Sequence, residues 1–173
     1  PRVVFDCMVF LQGAGRPASP SRACFHLVDE GQIDLCLSSD ILAEVRDVLT
    51  RPRTLGRFPL LTPEWVETFL QNAERKAIVV LTKVPKSCRL ERDPKDEPYL
   101  DLAVAARARY LVSRDRDLLD LMNDAEFRER FPDLNIVDPP AFLQALRSSR
   151  LIERSSEPWP AREAGGSGSD ANG

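Results

Sequence analysis

Five short apolar runs, with helical patterns between them, leave this chain few folds to choose from. The runs are Pro1-Arg-Val-Val-Phe-Asp6, Ile33 to Leu37, Ile78 to Leu81, Tyr110 to Ser113 and Asn135 to Val137. Segments of this length and composition read as buried strands. The helices declare themselves by caps and apolar stripes. Ser19-Pro20 supplies an N-cap and a first-turn proline, Cys24, Leu27 and Val28 share a face, and Gly31 ends the segment. Ser38-Ser39-Asp40 caps a stripe of Ile41, Leu42, Val45, Val48 and Leu49 that closes at Pro52. Thr62-Pro63 opens a partner helix with Trp65, Val66, Phe69, Leu70 and Ala73 on one side, and no strand separates the two. Asp93-Pro94 starts a helix through Ala108, and Pro140 begins a last one ending near Ser148.

Strands alternating with helices require right-handed crossovers. The predicted fold is therefore α/β, a three-layer α/β/α arrangement around a central, mainly parallel sheet of four to five strands. Such sheets bind ligands at the carboxyl ends of their strands. A chain of 173 residues that is 43% hydrophobic has apolar material for one core, so residues 1–150 are expected to form one domain. Residues 151–173, rich in Gly, Ser, Ala, Glu and Pro with Trp159 as the one aromatic residue, are expected to be a disordered tail. No uncharged apolar run approaches the roughly 18 to 20 residues that span a bilayer. No basic leader precedes an apolar segment, so a cytoplasmic chain without a membrane segment is expected.

Scarcity narrows the chemistry. There is one histidine, His26, inside the apolar stretch Cys24 to Val28, so mechanisms that need two imidazoles are closed. Cys7, Cys24, Cys36 and Cys88 show no C-x-x-C spacing and read as reduced structural thiols, not zinc ligands or disulfides. No G-x-S-x-G elbow and no Walker loop occurs. Carboxylates are left to do any chemistry.

Four acids lie where strand and helix ends would gather them. Asp6 directly follows the apolar run Val3-Val4-Phe5, Asp115 follows Tyr110 to Ser113 by two residues, Glu44 flanks the stripe of its helix, and Asp96 stands in the first turn of another. Each has an ordinary structural explanation as well. Asp96 and its neighbour Glu97 suit a helix start, Asp115 and Asp117 suit caps, and Glu44 suits a solvated helix face. Asp6 is the hardest to explain that way, because a carboxylate held at the end of a buried strand needs a partner. Two carboxylates about 5 Å apart repel by roughly 3 kcal/mol at an effective dielectric near 20, so four together would recruit cations. An all-oxygen set suits Mg²⁺ or Mn²⁺, ions that activate water and stabilise an oxyanion leaving a phosphodiester.

The segments Val3-Val-Phe-Asp6, Ser39-Asp-Ile-Leu-Ala-Glu44-Val-Arg-Asp-Val-Leu, Asp93-Pro-Lys-Asp96-Glu-Pro-Tyr-Leu-Asp-Leu-Ala103 and Tyr110-Leu-Val-Ser-Arg-Asp115-Arg-Asp-Leu-Leu119 together resemble the PIN-domain family, with the closest likeness to its prokaryotic toxin-like members. The resemblance covers residues 2 to 147. It implies a Mg²⁺- or Mn²⁺-dependent ribonuclease whose catalytic and metal-binding acids are Asp6, Glu44, Asp96 and Asp115, supported by Ser113 and Asp117. It also implies a protein antitoxin as partner and a homodimer, both using the helix pair 39–49 and 63–73. Cys7-Met8 stands where the family usually carries Thr-Asn or a similar polar pair. The alternative expectation is therefore a catalytically impaired module that binds an antitoxin or RNA without cutting it.

The total charge is −3, from 24 Lys and Arg against 27 Asp and Glu, so RNA contacts must come from local clusters. Arg51, Arg53 and Arg57 make Thr50 to Phe58 a basic stretch without an acid, and Arg114 and Arg116 flank Asp115. The same stretch also reads as a solvated linker. Asn123 to Arg130 reads as an added surface helix. Gly13-Ala-Gly15-Arg-Pro-Ala18 matches a dinucleotide-binding G-x-G-x-x-A, but it starts seven positions after Asp6, and Pro17 and Pro20 interrupt the helix such a motif needs. A haloacid dehalogenase reading fails at Met8, where a second aspartate is required.

Overall fold

The computed structural model describes residues 1–90 and 94–156. The cap expected at Asp93 and the tail beyond Ser156 lie outside them. Five strands form one parallel sheet: β1 (Arg2–Phe5), β2 (Asp34–Ser38), β3 (Val79–Leu81), β4 (Tyr110–Val112) and β5 (Asn135–Val137), in the order β3-β2-β1-β4-β5. From central β1 the chain steps outward through β2 and β3, then returns to the other side of β1 for β4 and β5. The reversal places a crevice at the carboxyl ends of β1 and β4, the position where open parallel sheets bind ligands. Each expected strand is present, with boundaries within a residue or so.

The register puts Val3 opposite Tyr110 and Phe5 opposite Val112, so these side chains share one face. That face is covered by α1 (Cys7–Gly15), α2 (Pro20–Asp29) and α9 (Pro139–Ser156). The Phe5 ring meets Phe10, Phe25 and Phe142 edge to face at centroid distances of 6.4, 5.1 and 6.4 Å, the arrangement that ring quadrupoles favour. The opposite layer is led by α6 (Glu97–Ala105), which packs on β1, β2 and β4 and buries Leu100, Leu102 and Ala103. Right-handed crossovers account for the division, because the β3-to-β4 step runs against the direction of the first two. Among the described residues no helix is long and apolar enough to cross a membrane.

Between β2 and β3 run α3 (Ser39–Thr50), α4 (Pro52–Arg57) and α5 (Pro63–Lys76). Ser38 caps α3 by accepting from the Ile41 amide, and Thr62 caps α5 by accepting from that of Trp65. The short helix α4 replaces the linker reading of Thr50 to Phe58; Pro52 ends α3 and serves as the first residue of the next helix. After β4 come α7 (Arg116–Asp120) and α8 (Ala125–Arg130), the latter being the added surface helix. The last helix extends eight residues past Ser148, into the segment expected to be a tail.

Helix α1 was not legible as a helix. Its residues from Val9 to Gly15 are all buried, so it has no polar face and no stripe. The glycines that mimicked a nucleotide loop are packing surfaces. A Cβ on Gly13 would lie 2.6 Å from two atoms of the Phe25 ring. That ring is itself held between Phe10 and Phe69, at 5.0 and 4.7 Å between centroids, and cannot yield. Gly13→Ala is expected to destabilise the fold by about 1 to 3 kcal/mol through overpacking, read as a lower midpoint in urea unfolding.

Helix α6 is preceded by a 3-10 turn, Pro94–Asp96, and stops at Ala105, short of the expected Ala108. Arg107 ends it, with φ of 50°. The Ala108 amide reaches back to the Ala103 carbonyl at 2.8 Å and the Arg107 amide to that of Val104 at 3.1 Å, a terminating motif in which glycine usually occupies the left-handed position. Arg107→Gly is expected to stabilise the fold by up to about 1 kcal/mol, seen as a raised melting temperature.

Candidate active site

Asp6 leaves β1 and at once becomes the N-cap of α1. Its backbone amide continues the ladder by donating to the Val112 carbonyl at 3.1 Å, and its Oδ1 accepts from the Val9 amide at 2.8 Å. Oδ2 accepts from the Ser113 hydroxyl in a short hydrogen bond and from the Arg114 amide at 3.2 Å. The carboxylate is thus clamped between the ends of neighbouring strands and is only 4% exposed. Ser113, fully buried, also accepts from the Asp115 amide at 2.9 Å, and Asp115 Oδ1 in turn caps α7 by accepting from the Asp117 amide at 2.7 Å. Asp6, Ser113 and Asp115 form one chain of hydrogen bonds across the mouth of the crevice. Asp117 sits exposed in the first turn of α7.

Glu44 approaches from the second turn of α3, half-buried. Its field reaches Cys7, Tyr99, Arg51 and Lys95. Tyr99, on α6, was not singled out from the sequence. It is 2% exposed, and its buried hydroxyl faces Glu44, Cys7 and Asp6. The signal available was an aromatic residue with a polar tip three positions after Asp96, and such a tip normally finds a partner when buried. Asp96 stands in the 3-10 turn ahead of α6, one of its carboxylate oxygens shut off from solvent.

The structure therefore joins Asp6 and Asp115 through Ser113 and sets Glu44 beside Cys7 and Tyr99. It does not draw the four acids into one cage: among the described residues no three His, Cys, Asp or Glu side chains stand close enough to hold a metal. The expected arginines line the outside. Arg53, Arg114 and Arg116 are exposed, and Arg51, the residue that follows α3, is tied to Asp47 one turn back in that helix at 2.6 Å. All four cysteines are free thiols, as expected. Two acids with other duties lie nearby in sequence. Asp101 is buried and accepts from the Ser87 and Cys88 amides at 2.7 and 2.8 Å, and Glu97 accepts from the Leu90 amide at 2.7 Å, so both pin the segment after β3.

The electrostatics of the site are those of uncompensated negative charge. Burial pushes the Asp6 carboxyl above the usual aspartate range against the pull of Ser113, Val9 and Arg114, and Asp115 pushes it further up. Glu44 is raised chiefly by burial, opposed by Tyr99, Arg51 and Lys95. The Cys7 thiol is pushed up to about 12 by burial and then by Glu44 and Asp6, so it is no nucleophile. Desolvated carboxylates at a crevice are the kind of oxygen donor that suits a hard divalent cation, which would supply compensating charge.

A parallel sheet carrying clamped acids at the reversal point between β1 and β4 is an open α/β fold with its candidate site at the strand ends. The model of the PIN domain family matches residues 2–117, two thirds of the chain, and the chain belongs to that family. Proteins of the family are generally nucleases that use divalent metal ions. No curated protein and no solved structure matches the chain.

The raised carboxyls set the pH response. Asp6 and Glu44 keep their protons to higher pH in the folded chain than in the unfolded one, so the folded state binds more protons in that interval and stability falls as pH rises. The metal-free protein is expected to lose stability as pH rises above the ordinary carboxylate range of about 4, with a shallower fall in Asp6→Asn. Mg²⁺ or Mn²⁺ at about 100 times its Kd adds about 2.7 kcal/mol, at roughly 2 to 4 °C per kcal/mol for a chain of this size. Thermal melts are expected to show that gain in the wild type and not in Asp6→Asn.

Proposed function

We propose that the chain is a Mg²⁺- or Mn²⁺-dependent endoribonuclease acting as the toxin of a toxin–antitoxin pair in the cytoplasm. The observation that carries the reading is the desolvated Asp6 carboxylate, clamped by Ser113 and Arg114 and linked to Asp115 at the reversal point of the sheet. Asp6, Asp96 and Asp115, which do not form one cage without the ion, would have to close on the cation, which would supply an activated water and charge stabilisation for the leaving oxygen. Ser113 orients both Asp6 and Asp115. Glu44, whose carboxyl burial raises above the usual glutamate range, would orient the attacking water at its carboxylate. Arg53, Arg114 and Arg116 are free at the rim to hold phosphates, and Arg51 can join them by exchanging Asp47 for one.

The antitoxin and a second copy of the chain are assigned to the α3 and α5 pair. Its helices are held together by the 2.9 Å ion pair of Arg46 with Glu67, and Leu60, 57% exposed, sits in the connection leading to α5. A second reading rests on Met8. It is 42% exposed in the first turn of α1 and offers no hydrogen bond where the family has a polar side chain, which favours a module that binds without cutting. Cleavage of labelled RNA in Mg²⁺, Mn²⁺ or EDTA separates the two. The nuclease is expected to lose more than about 100-fold in rate with EDTA, Asp6→Asn or Asp96→Asn. Cleavage that survives all three removes the catalytic reading. Absence of cleavage by the wild type and by Met8→Asn, with antitoxin binding intact, establishes the module.

A further inference from the structure

At the pole of the sheet opposite the acids lies a groove of about 770 Å³. Arg107, Arg109 and Arg130 line it with Phe131, Asn135 and a single acid, Asp133. Three arginines against one aspartate make this a basic site on a chain of net charge −3. The arginines are not spent on the fold's own acids. Among the described residues no ion pair involves any of them. The Arg107 guanidinium has no hydrogen bond there, that of Arg109 lies 5.9 Å from the Tyr110 ring, and that of Arg130 donates to the Ser87 carbonyl while stacking 5.1 Å over Phe131.

Arg107 is the telling residue. It occupies the left-handed position that ends α6, where glycine is favoured, and it is exposed beside two further arginines of the groove. Three exposed guanidinium groups along one groove, with a single acid among them, suit the phosphates of single-stranded nucleic acid.

We propose that this groove is a second RNA-binding site, which holds a single-stranded stretch of the RNA at a distance from the cleavage crevice. Arg109 immediately precedes β4 and Ser113 immediately follows it. Four steps of about 3.3 Å thus separate the poles by about 13 Å along the strand, and an RNA strand that reaches both must be longer than that, because it runs round the outside of the fold. The choice of ligand rests on the nuclease reading above.

The test compares the wild-type full chain with Arg107→Gly/Arg109→Gln. Fluorescence anisotropy in EDTA measures binding of a long oligo(U) and of oligo(U) too short to reach both poles. The wild type is expected to bind the long strand more tightly. The double variant is expected to lose about tenfold in that affinity and to show a salt dependence shallower by about 1.4 in log–log slope, for two phosphates at about 0.7 each. Cleavage of the short strand should be unchanged. Because Arg107→Gly removes strain, a melting temperature at or above wild type excludes misfolding as the cause. Unchanged affinity and slope overturn the proposal, as does an acidic polyglutamate peptide that binds the groove more tightly than oligo(U). If Asp6→Asn abolishes cleavage while the groove variant binds normally, the second site fails and the nuclease stands. If no form cleaves and the groove variant still loses oligo(U), the nuclease reading fails and the site stands.

Discussion

One carboxylate organises this molecule. Asp6 ends the central strand, starts the first helix and is tied by both oxygens to its surroundings, on one side to α1 through Val9 and on the other to the exit of β4 through Ser113 and Arg114. The strand pair at the reversal of the sheet is therefore closed by an acid, where a neutral side chain would close it with less desolvation. Asp115 is fixed by the same Ser113, so the relative placement of two of the acids follows from the β1–β4 register.

Much of this was legible in the sequence because it depends on local chemistry. Short apolar runs, Ser and Thr caps, and prolines at first turns specify strand and helix positions without knowledge of neighbours, and Ser19, Ser38 and Thr62 all cap as their spacing implies. What was hidden depends on distant packing. Helix α1 is enclosed by the aromatic rings of Phe25 and Phe58, so it shows no polar face, and its glycines imitate a phosphate loop. The early end of α6 depends on a left-handed arginine, which no composition rule anticipates.

The site was legible in part for the same reason. Asp6 and Asp115 could be placed because each follows a strand, and strand ends have a fixed location in a parallel sheet. Tyr99 could not, since its role comes from facing Glu44 and Cys7 across elements far apart in the chain. Glu97 and Asp101 show the converse problem. They stand close to Asp96 in sequence and are equally acidic, yet their oxygens are spent on backbone amides of the segment after β3, which only coordinates reveal.

The burial of the Asp6 carboxylate has a consequence for which changes its position tolerates. Its two oxygens accept from the Val9 amide, the Ser113 hydroxyl and the Arg114 amide, so an amide in its place would turn an NH2 group toward donors and lose at least one of those bonds. The desolvation that raises the carboxyl is opposed by contacts that a carboxylate alone can make in full. The position is closed to replacement from two directions, by charge and by hydrogen bonding.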